Sequence, residues 1–364
     1  MALKLNETPI KTAECHKINN ISLDVELPTQ ASHFTSYTWE EKNVKLTHNT
    51  EKAPFVYGNG VVLEDNMKKY CNSDLAIFTT GEAQFAIRYT FNDENTVLSD
   101  TIEIVAEHDA TFTLVYESTT KKPCYHNSMV KIQVLNNAKV QLEYINLLND
   151  TTNHFVNIES NVHENANLDL IMVDMGAKNS ISNIYTNMLS KKAVTKLQTA
   201  YIASNAELKD MNYISHLRGK KSEIDMDIQG VLDDQSKKNL KFTIDFISGC
   251  NGAKGTENES CMMLSDSVRN ISLPILLCTE EDVEGAHSAS AGQADSEQVF
   301  YIMSRGFSKK EAISMLVHAK YTAIIEALHD KKLQKEVMNE INRRLAWKTI
   351  KQIFLCLHKI KLLI

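Results

Sequence analysis

Between about residue 76 and residue 285, the chain is a succession of short segments in which apolar and polar residues alternate. Polar turns separate these segments, of which the clearest are GEAQFAIRYTF, EHDATFTLVYES, NNAKVQLEYIN, ENANLDLIMVD and KKAVTKLQTAYI. Strict alternation places one face of a β-strand in a core and the other face in solvent. The pattern therefore predicts a long series of strands, without the period of a helical repeat.

The segments recur with a nearly constant period. Each opens with two polar residues and an alanine, and the alanines follow one another at steps of 27, 28, 28 and 27 residues: Ala83, Ala110, Ala138, Ala166 and Ala193. A small residue suits a tight corner, and a fixed period of this length is typical of a solenoid. A β-sandwich is the alternative, because short strands with regular turns also suit it. The fold class predicted is mainly β, with the solenoid favoured.

The two ends of the chain differ from its middle. Residues 1–75 are less periodic and are predicted to form a small N-terminal cap region, before a solenoid core over 76–290 and a C-terminal helical domain over 291–364. The strand edges at the ends of a solenoid must be covered or paired. We therefore expect a protein–protein assembly.

Three helices are predicted after the strands. Asp295 is the expected N-cap of the first helix, which ends at Gly306, and Ser308 with Glu311 forms a capping box for the second. Apolar residues at three- and four-residue steps predict the buried face of the second helix, namely Ala312, Met315, Leu316, Ala319, Ala323, Ile324 and Ala327. In the third helix they are Leu333, Val337, Ile341 and Leu345. The apolar and basic tail, residues 348–364, is predicted to pack on a partner.

Composition excludes several classes of function. A net charge of −7 and the lack of a basic run argue against binding to nucleic acid. No stretch reaches the roughly 18 apolar residues of a membrane span, and the N-terminus lacks the apolar core of a secretory signal. The seven scattered cysteines include no CxxC pair, so we expect reduced thiols and a cytoplasmic protein. There is also no P-loop, GxGxxG, GxSxG or HExxH motif.

One segment, DVEGAHSASAGQADSEQVFYIMSRGFSKKEA, resembles the signature of the SufB/SufD family of iron–sulfur cluster assembly proteins. The matching features are Val283, His287, and residues 289–292, 295–298 and 301–306, and the resemblance is strong over about residues 245–330. It implies a right-handed parallel β-helix with a small N-terminal region and a C-terminal α-helical domain. It also implies pairing of SufB with SufD through the β-helices, and docking of the ATPase SufC on the helical domain.

The resemblance favours the SufD type. The long N-terminal extension of SufB is missing, and Glu259 stands at or near the position of the functional SufB cysteine, with Cys261 two residues away. SufB also tends to carry a carboxylate beside the histidine, where this chain reads GAHSA. A SufB-like subunit or homodimer that itself carries the nascent cluster is the alternative. A β-helix carbohydrate-active enzyme is the alternative from another class, but it would show carboxylates on successive turns.

The implied role is that of a scaffold without catalysis of its own and without bound ATP. Its partners would be a SufB-like subunit and a SufC-like ATPase, or a second copy when it is isolated. A transient iron–sulfur cluster would form at the interface with SufB, and the resemblance leaves a flavin in the complex open.

His287 is the candidate cluster ligand, because neutral imidazole binds iron. A structural histidine that hydrogen-bonds the turn is the alternative. Some members of the family have a cysteine at the position of Gly285, so this chain lacks a thiolate there. Cys250, Cys261 and Cys278 are candidate metal-binding thiolates, with buried inert thiols as the alternative.

The acidic run over residues 280–284 could attract iron, although a solvated turn is the simpler interpretation. In the family, the segment SRGFSKKEAISMLVHAKY corresponds to the SufC-binding region. The candidate residues for partner binding are therefore Arg305, Lys309, Lys310 and Glu311.

Overall fold

Parallel β-strands make up most of the molecule in this computed structural model, which describes residues 2–11, 18–30, 32–48 and 55–345. The longest strand of the main sheet is β4 (Ser73–Phe91). The strands after it are β5 (Val97–Ala106), β6 (Ala110–Ser118), β7 (Tyr125–Val134), β8 (Lys139–Leu147), β9 (Asn153–Val162), β10 (Asn167–Asp174), β11 (Asn179–Met188), β12 (Val194–Ala203), β13 (Leu208–Leu217), β14 (Glu223–Leu232), β15 (Lys237–Phe246), β16 (Ala253–Met263), β17 (Arg269–Cys278) and β18 (Val283–Gly292). The tail 348–364 lies outside the described residues.

The strands alternate between two parallel stacks. Odd-numbered strands from β5 to β17 pair with one another, as do even-numbered strands from β6 to β18, with seven strands in each stack. Residues Ser73–Phe78 of β4 pair with β5, and Ala83–Phe91 of the same strand pair with β6, so that β4 joins the stacks. Each turn of the chain thus adds one strand to each stack. This arrangement confirms the predicted β-solenoid and excludes the β-sandwich.

The periodic alanines lie at one corner of the solenoid. Ala138, Ala166 and Ala193 are buried just before even-numbered strands, and each carbonyl oxygen accepts a hydrogen bond of 2.9 Å from the following turn. A larger side chain would have to enter the core at this bend. The period found in the sequence is therefore the length of one complete turn, which contains two strands.

The N-terminal elements lie against the first turns and the odd-numbered stack. They are β1 (Leu3–Leu5), β2 (Ile21–Leu23), β3 (Tyr37–Thr47) and α1 (Val61–Tyr70). Strand β3 runs antiparallel along β4, and Leu63 of α1 packs with Phe155 and Ile181 of the odd-numbered stack. The start of the solenoid thus has a covering strand.

Three helices follow the strands: α2 (Ser296–Ser304), α3 (Lys309–Glu326) and α4 (Lys331–Arg344). The predicted N-cap at Asp295 and the capping box of Ser308 with Glu311 are both confirmed. Gly306, at the end of α2, has a φ of 94°, which a residue without a side chain adopts readily.

Helices α3 and α4 pack on the outer face of the even-numbered stack. The predicted apolar face of α4 is buried. The face predicted for α3 is wrong in part, because Ala319, Ala323 and Ala327 are exposed, whereas Ala312 and Ile324 are buried as predicted. The helix buries Val317, Tyr321 and Ile325 against the strands instead. The larger apolar side chains remove more surface from water than the alanines would, and this decides the rotation of the helix.

The interior of the solenoid includes a buried polar cluster in the first turns. Nε2 of His126 lies 2.9 Å from Oδ1 of Asp100, and its Nδ1 lies 2.8 Å from Nδ1 of His154. Oδ2 of Asp100 accepts hydrogen bonds from Tyr116 and Ser128. If His126 donates to Asp100, its Nδ1 must accept from His154, so the network selects both tautomers.

This cluster predicts that acid destabilises the fold. Burial, followed by the charges of His126 and Lys209, holds the pKa of His154 well below its usual range. The folded chain keeps His154 neutral, whereas the unfolded chain gains a proton at this residue below about pH 6.5. The free energy of unfolding therefore decreases as pH falls below this value, by about 1.4 kcal/mol per pH unit. We expect His154→Gln to flatten the fall in unfolding free energy between pH 7 and pH 5 in urea titrations. His108→Gln, at an exposed position, is the control, and equal slopes for all three proteins would contradict the prediction.

Candidate functional site

The solenoid ends in two strands that have only one neighbour each. Within the described part of the chain, β17 pairs only with β15, and β18 pairs only with β16. Every residue of β18 after Val283 is exposed, and most of β17 is half-buried. Such an edge presents backbone N–H and C=O groups that can pair with another chain.

His287 lies in the middle of this last strand. It is exposed, and its register partner in β16 is Glu257. It makes no hydrogen bond to any described residue. Ser288, the next residue, donates to Asn258 over 2.8 Å. Register partners in a parallel sheet point to the same face, so the side chains of His287 and Glu257 share the interior face of the last two turns.

A buried ion pair lies below the end of the solenoid. Nζ of Lys238 donates to Oε1 of Glu259, and both side chains are fully buried. The hydroxyl of Tyr201 donates to the same oxygen over 3.1 Å, and Lys238 also donates to Ser272 over 2.8 Å. Gly230 leaves the space that the Tyr201 ring fills, because a Cβ there would lie only 1.8 Å from the ring. The pair thus connects strands β12, β15, β16 and β17.

Glu257 is the unusual residue of this interior. It is fully buried, and burial raises its pKa to about 9, although the N–H groups of Ile275 and Ile244 act in the opposite direction. Those two groups lie close to the carboxyl, but neither of its oxygens completes a hydrogen bond of normal geometry with any described group. A buried polar group without a partner is rare in folded proteins and calls for an explanation.

The three candidate cysteines do not form one cluster. Cys250 and Cys261 are buried, whereas Cys278 is exposed and donates to the carbonyl oxygen of Glu280 over 2.9 Å. Burial raises the pKa of both buried thiols, which disfavours the thiolate that a metal needs. Across the described residues, no three His, Cys, Asp or Glu side chains are grouped to hold a metal ion. The metal-binding role of these cysteines stays a prediction.

The acidic residues before β18 build a turn. Glu280 accepts hydrogen bonds from the N–H groups of Gly249 and Glu281, which lower its pKa. Asp282 accepts from Asn251 over 2.7 Å. These contacts are typical of a solvated turn, which was the simpler interpretation of the acidic run in the sequence.

The predicted partner-binding residues lie at the end of α2 and in the first turn of α3. Arg305 ends α2, and its guanidinium lies over the ring of Tyr301 at 5.1 Å. Lys309 and Lys310 are exposed in the first turn of α3, whereas Glu311 is engaged in the capping box. Their role in binding stays a prediction.

Sequence reasoning missed the exposed apolar residues of α2. Phe300 is 74% exposed, Tyr301 59% and Met303 40%, on a helix that buries only Val299. Large apolar side chains exposed together are typical of surfaces that bind a partner. The signal was present in the sequence, because VFYIM has more apolar residues than one buried helix face needs.

Comparison with known proteins places the solenoid in a family. The family model described as the SUF system FeS cluster assembly, SufBD core domain, matches residues 89–320. The iron–sulfur cluster assembly protein SufD of Bacillus subtilis is 25% identical over 261 residues, which are 70% of this chain and 60% of that protein.

Two further relatives give the same result. SufD of Escherichia coli is 38% identical over 72 residues, 20% of this chain and 17% of its own length. An iron–sulfur cluster assembly SufBD family protein of Staphylococcus epidermidis is 23% identical over 279 residues, 75% of this chain and 58% of its own length. The chain therefore spans at most about three fifths of the length of these relatives.

The buried ion pair predicts a strong contrast between two glutamates. Glu259→Gln leaves the buried charge of Lys238 without its counter-charge and should lower the free energy of unfolding by about 3–5 kcal/mol. Glu284→Gln breaks an ion pair with Lys254 that is exposed to solvent, and we expect little change. Urea unfolding of both variants measures the difference. Equal losses in the two variants would show that the buried pair does not stabilise the end of the solenoid.

Proposed function

The chain belongs to the SufBD core family of the SUF system for iron–sulfur cluster assembly, and from that premise we propose that it is a SufD-type scaffold subunit without catalysis of its own. In this proposal, the end of the solenoid pairs with a SufB-like subunit, and the helices of residues 291–364 dock a SufC-like ATPase. The nascent cluster forms at the joint between the two solenoids. ATP is bound and hydrolysed by the docked ATPase.

The observation that carries the proposal is the position of His287 on the unpaired edge. An edge strand attracts a second strand through its free backbone groups, and β18 offers this edge with its side chains exposed. Anything that binds there meets His287 directly. A ligand on an interface strand is well placed for a cluster shared by two subunits.

The potential cluster ligands of this chain also favour a site shared with the partner. Cys261 and Cys250 are buried, the exposed thiol of Cys278 is engaged with the carbonyl oxygen of Glu280, and Gly285 occupies the position where some family members carry a cysteine. Iron–sulfur clusters need thiolate ligands. We therefore assign the main thiolate to the SufB-like partner and the imidazole of His287 to this chain. When the partner is absent, the same edge is open to a second copy of the chain.

The exposed surface of α2 supports docking of the ATPase. Phe300, Tyr301 and Met303 offer apolar area, and Arg305 offers a charge fixed over the Tyr301 ring. Aromatic and arginine side chains contribute strongly to binding at protein interfaces. Lys309 and Lys310 extend this surface with positive charge.

Helix α3 connects the proposed docking surface with the strands. The hydroxyl of Tyr321 donates to the carbonyl oxygen of Tyr201 over 2.5 Å, and Nζ of Lys320 donates to Ser260 over 2.6 Å. These bonds attach α3 to strands β12 and β16, and β16 is the neighbour of β18. A displacement of the helices by the ATPase would therefore act on the last turns and open the joint.

Co-expression with the SufB-like and SufC-like subunits tests the assembly. Affinity purification of this chain should retain both partners. Recovery of the chain without the SufB-like subunit would refute the scaffold role.

The five cysteines that the structure describes are all free thiols, so we place the complex in the cytoplasm, where thiols remain reduced.

Phe300→Asp should release the ATPase and keep the SufB-like subunit, because it places a charge in the apolar centre of the proposed docking surface. We expect a loss of about tenfold or more in affinity for the ATPase, measured by titration calorimetry. Val61→Asp is the matched control, since Val61 is 72% exposed but lies on α1. Retention of the ATPase by the Phe300 variant would place its docking site elsewhere.

His287→Ala should leave all three subunits together but lower the rate of cluster formation in the complex. The side chain is exposed and makes no hydrogen bond with the described residues, so its removal should not affect stability. Anaerobic reconstitution followed by absorption spectroscopy measures the rate. A normal rate would remove the ligand role of His287 and leave the assembly proposal intact.

A further inference from the structure

Glu257 differs from all other buried acids in the described residues. The others each accept at least one hydrogen bond, and four of them pair with a lysine or arginine: Asp174, Glu207, Asp210 and Glu259. Glu257 has no cationic partner among the described residues, and neither of its oxygens completes a hydrogen bond of normal geometry, although the N–H groups of Ile244 and Ile275 lie close to it. A buried carboxyl without a partner destabilises the fold, and proteins retain such residues where a function requires them.

Among the described residues, the interior offers no cation to Glu257. The glycines beside it in the two last turns are packed by apolar side chains, since a Cβ at Gly255 would lie 3.0 Å from Ile244 and Phe246. One at Gly285 would lie 3.1 Å from Phe246. Toward the preceding turns, the charge of Lys238 is neutralised by its ion pair with Glu259. A positive charge can therefore reach Glu257 only from the open end of the solenoid.

His287 lies between Glu257 and this open end. The two residues are register partners on adjacent parallel strands, which are separated by about 4.8 Å, with side chains on the same face. An imidazole nitrogen and a carboxylate oxygen each bind a divalent metal at about 2.1 Å. The strand spacing is therefore suitable for one metal ion held by both side chains.

We propose that Glu257 and His287 are the two ligands that this chain supplies to Fe²⁺ at the end of the solenoid. Fe²⁺ accepts both imidazole and carboxylate donors. Water fills the remaining positions in the isolated chain, and donors of the partner replace it in the complex. The choice of iron rests on the proposed function, whereas the pair of ligands rests on the geometry.

Titration of the isolated full-length chain with Fe²⁺ under anaerobic conditions tests the site. Calorimetry should detect one saturable site, and Co²⁺ should give visible absorption bands as a spectroscopic probe. Glu257→Gln and His287→Ala should each weaken binding by about tenfold or more. Glu284→Gln is the matched control, because it makes the same chemical change on β18 at an exposed position and should bind as the wild type does.

A second variant separates a ligand from a structural residue. Glu257→Met removes the buried carboxyl without leaving a partner unpaired, so it should raise the Tm of the metal-free chain by roughly 1–3 °C and abolish Fe²⁺ binding. A lower Tm with unchanged binding would show a structural role. Failure of the wild type to bind Fe²⁺, or equal affinity in the Glu257 variants, would overturn the proposal. The experiment needs no partner, so its outcome is independent of co-purification with the SufB-like subunit.

Discussion

Each strand of a parallel solenoid takes half of its backbone hydrogen bonds from the preceding turn and offers the other half to the next turn. A solenoid built in this way has one turn at each end whose outward backbone groups have no further turn to bond. At the start of this chain the problem is solved by β3, which runs antiparallel along β4. At the other end, β17 and β18 remain open in the described structure, and the proposed cluster ligand His287 lies on β18. The rest of the molecule supports this edge.

The polar interior determines which register the turns adopt. Lys238 with Glu259, Lys241 with Asp210 and Lys209 with Asp174 each join different strands. Replacing such a pair by apolar residues is often neutral for stability, but separating the partners is not. A slip by one residue would turn these charges toward the wrong face and leave them unpaired. The pairs therefore act against misalignment of turns whose apolar residues are nearly interchangeable.

The sequence predicted the solenoid because its signal is repeated in every turn. The small residue at one corner recurs from Ala83 to Ala193, and the capping residues Asp295 and Ser308 are local signals that need no tertiary information. The rotation of α3 was not predictable in this way, since alanines fit both a core and a surface. The burial of Glu257 and the ion pair of Glu259 were missed for a related reason. Both side chains point into the interior from β16, and only the contact of Glu259 with Lys238 on β15 shows that one of the two is paired and the other is not.

Helices α3 and α4 lie across several turns at once. Their apolar residues contact Val115 on β6, Ile171 on β10 and Val231 on β14, which belong to different turns. Repeat proteins without such a brace can lose their turns one at a time from the ends. Here the turns are joined from outside, so fraying of one turn also strips the helices from its neighbours. The ribosome makes the strands before the helices, and the solenoid must persist unbraced until the helices emerge.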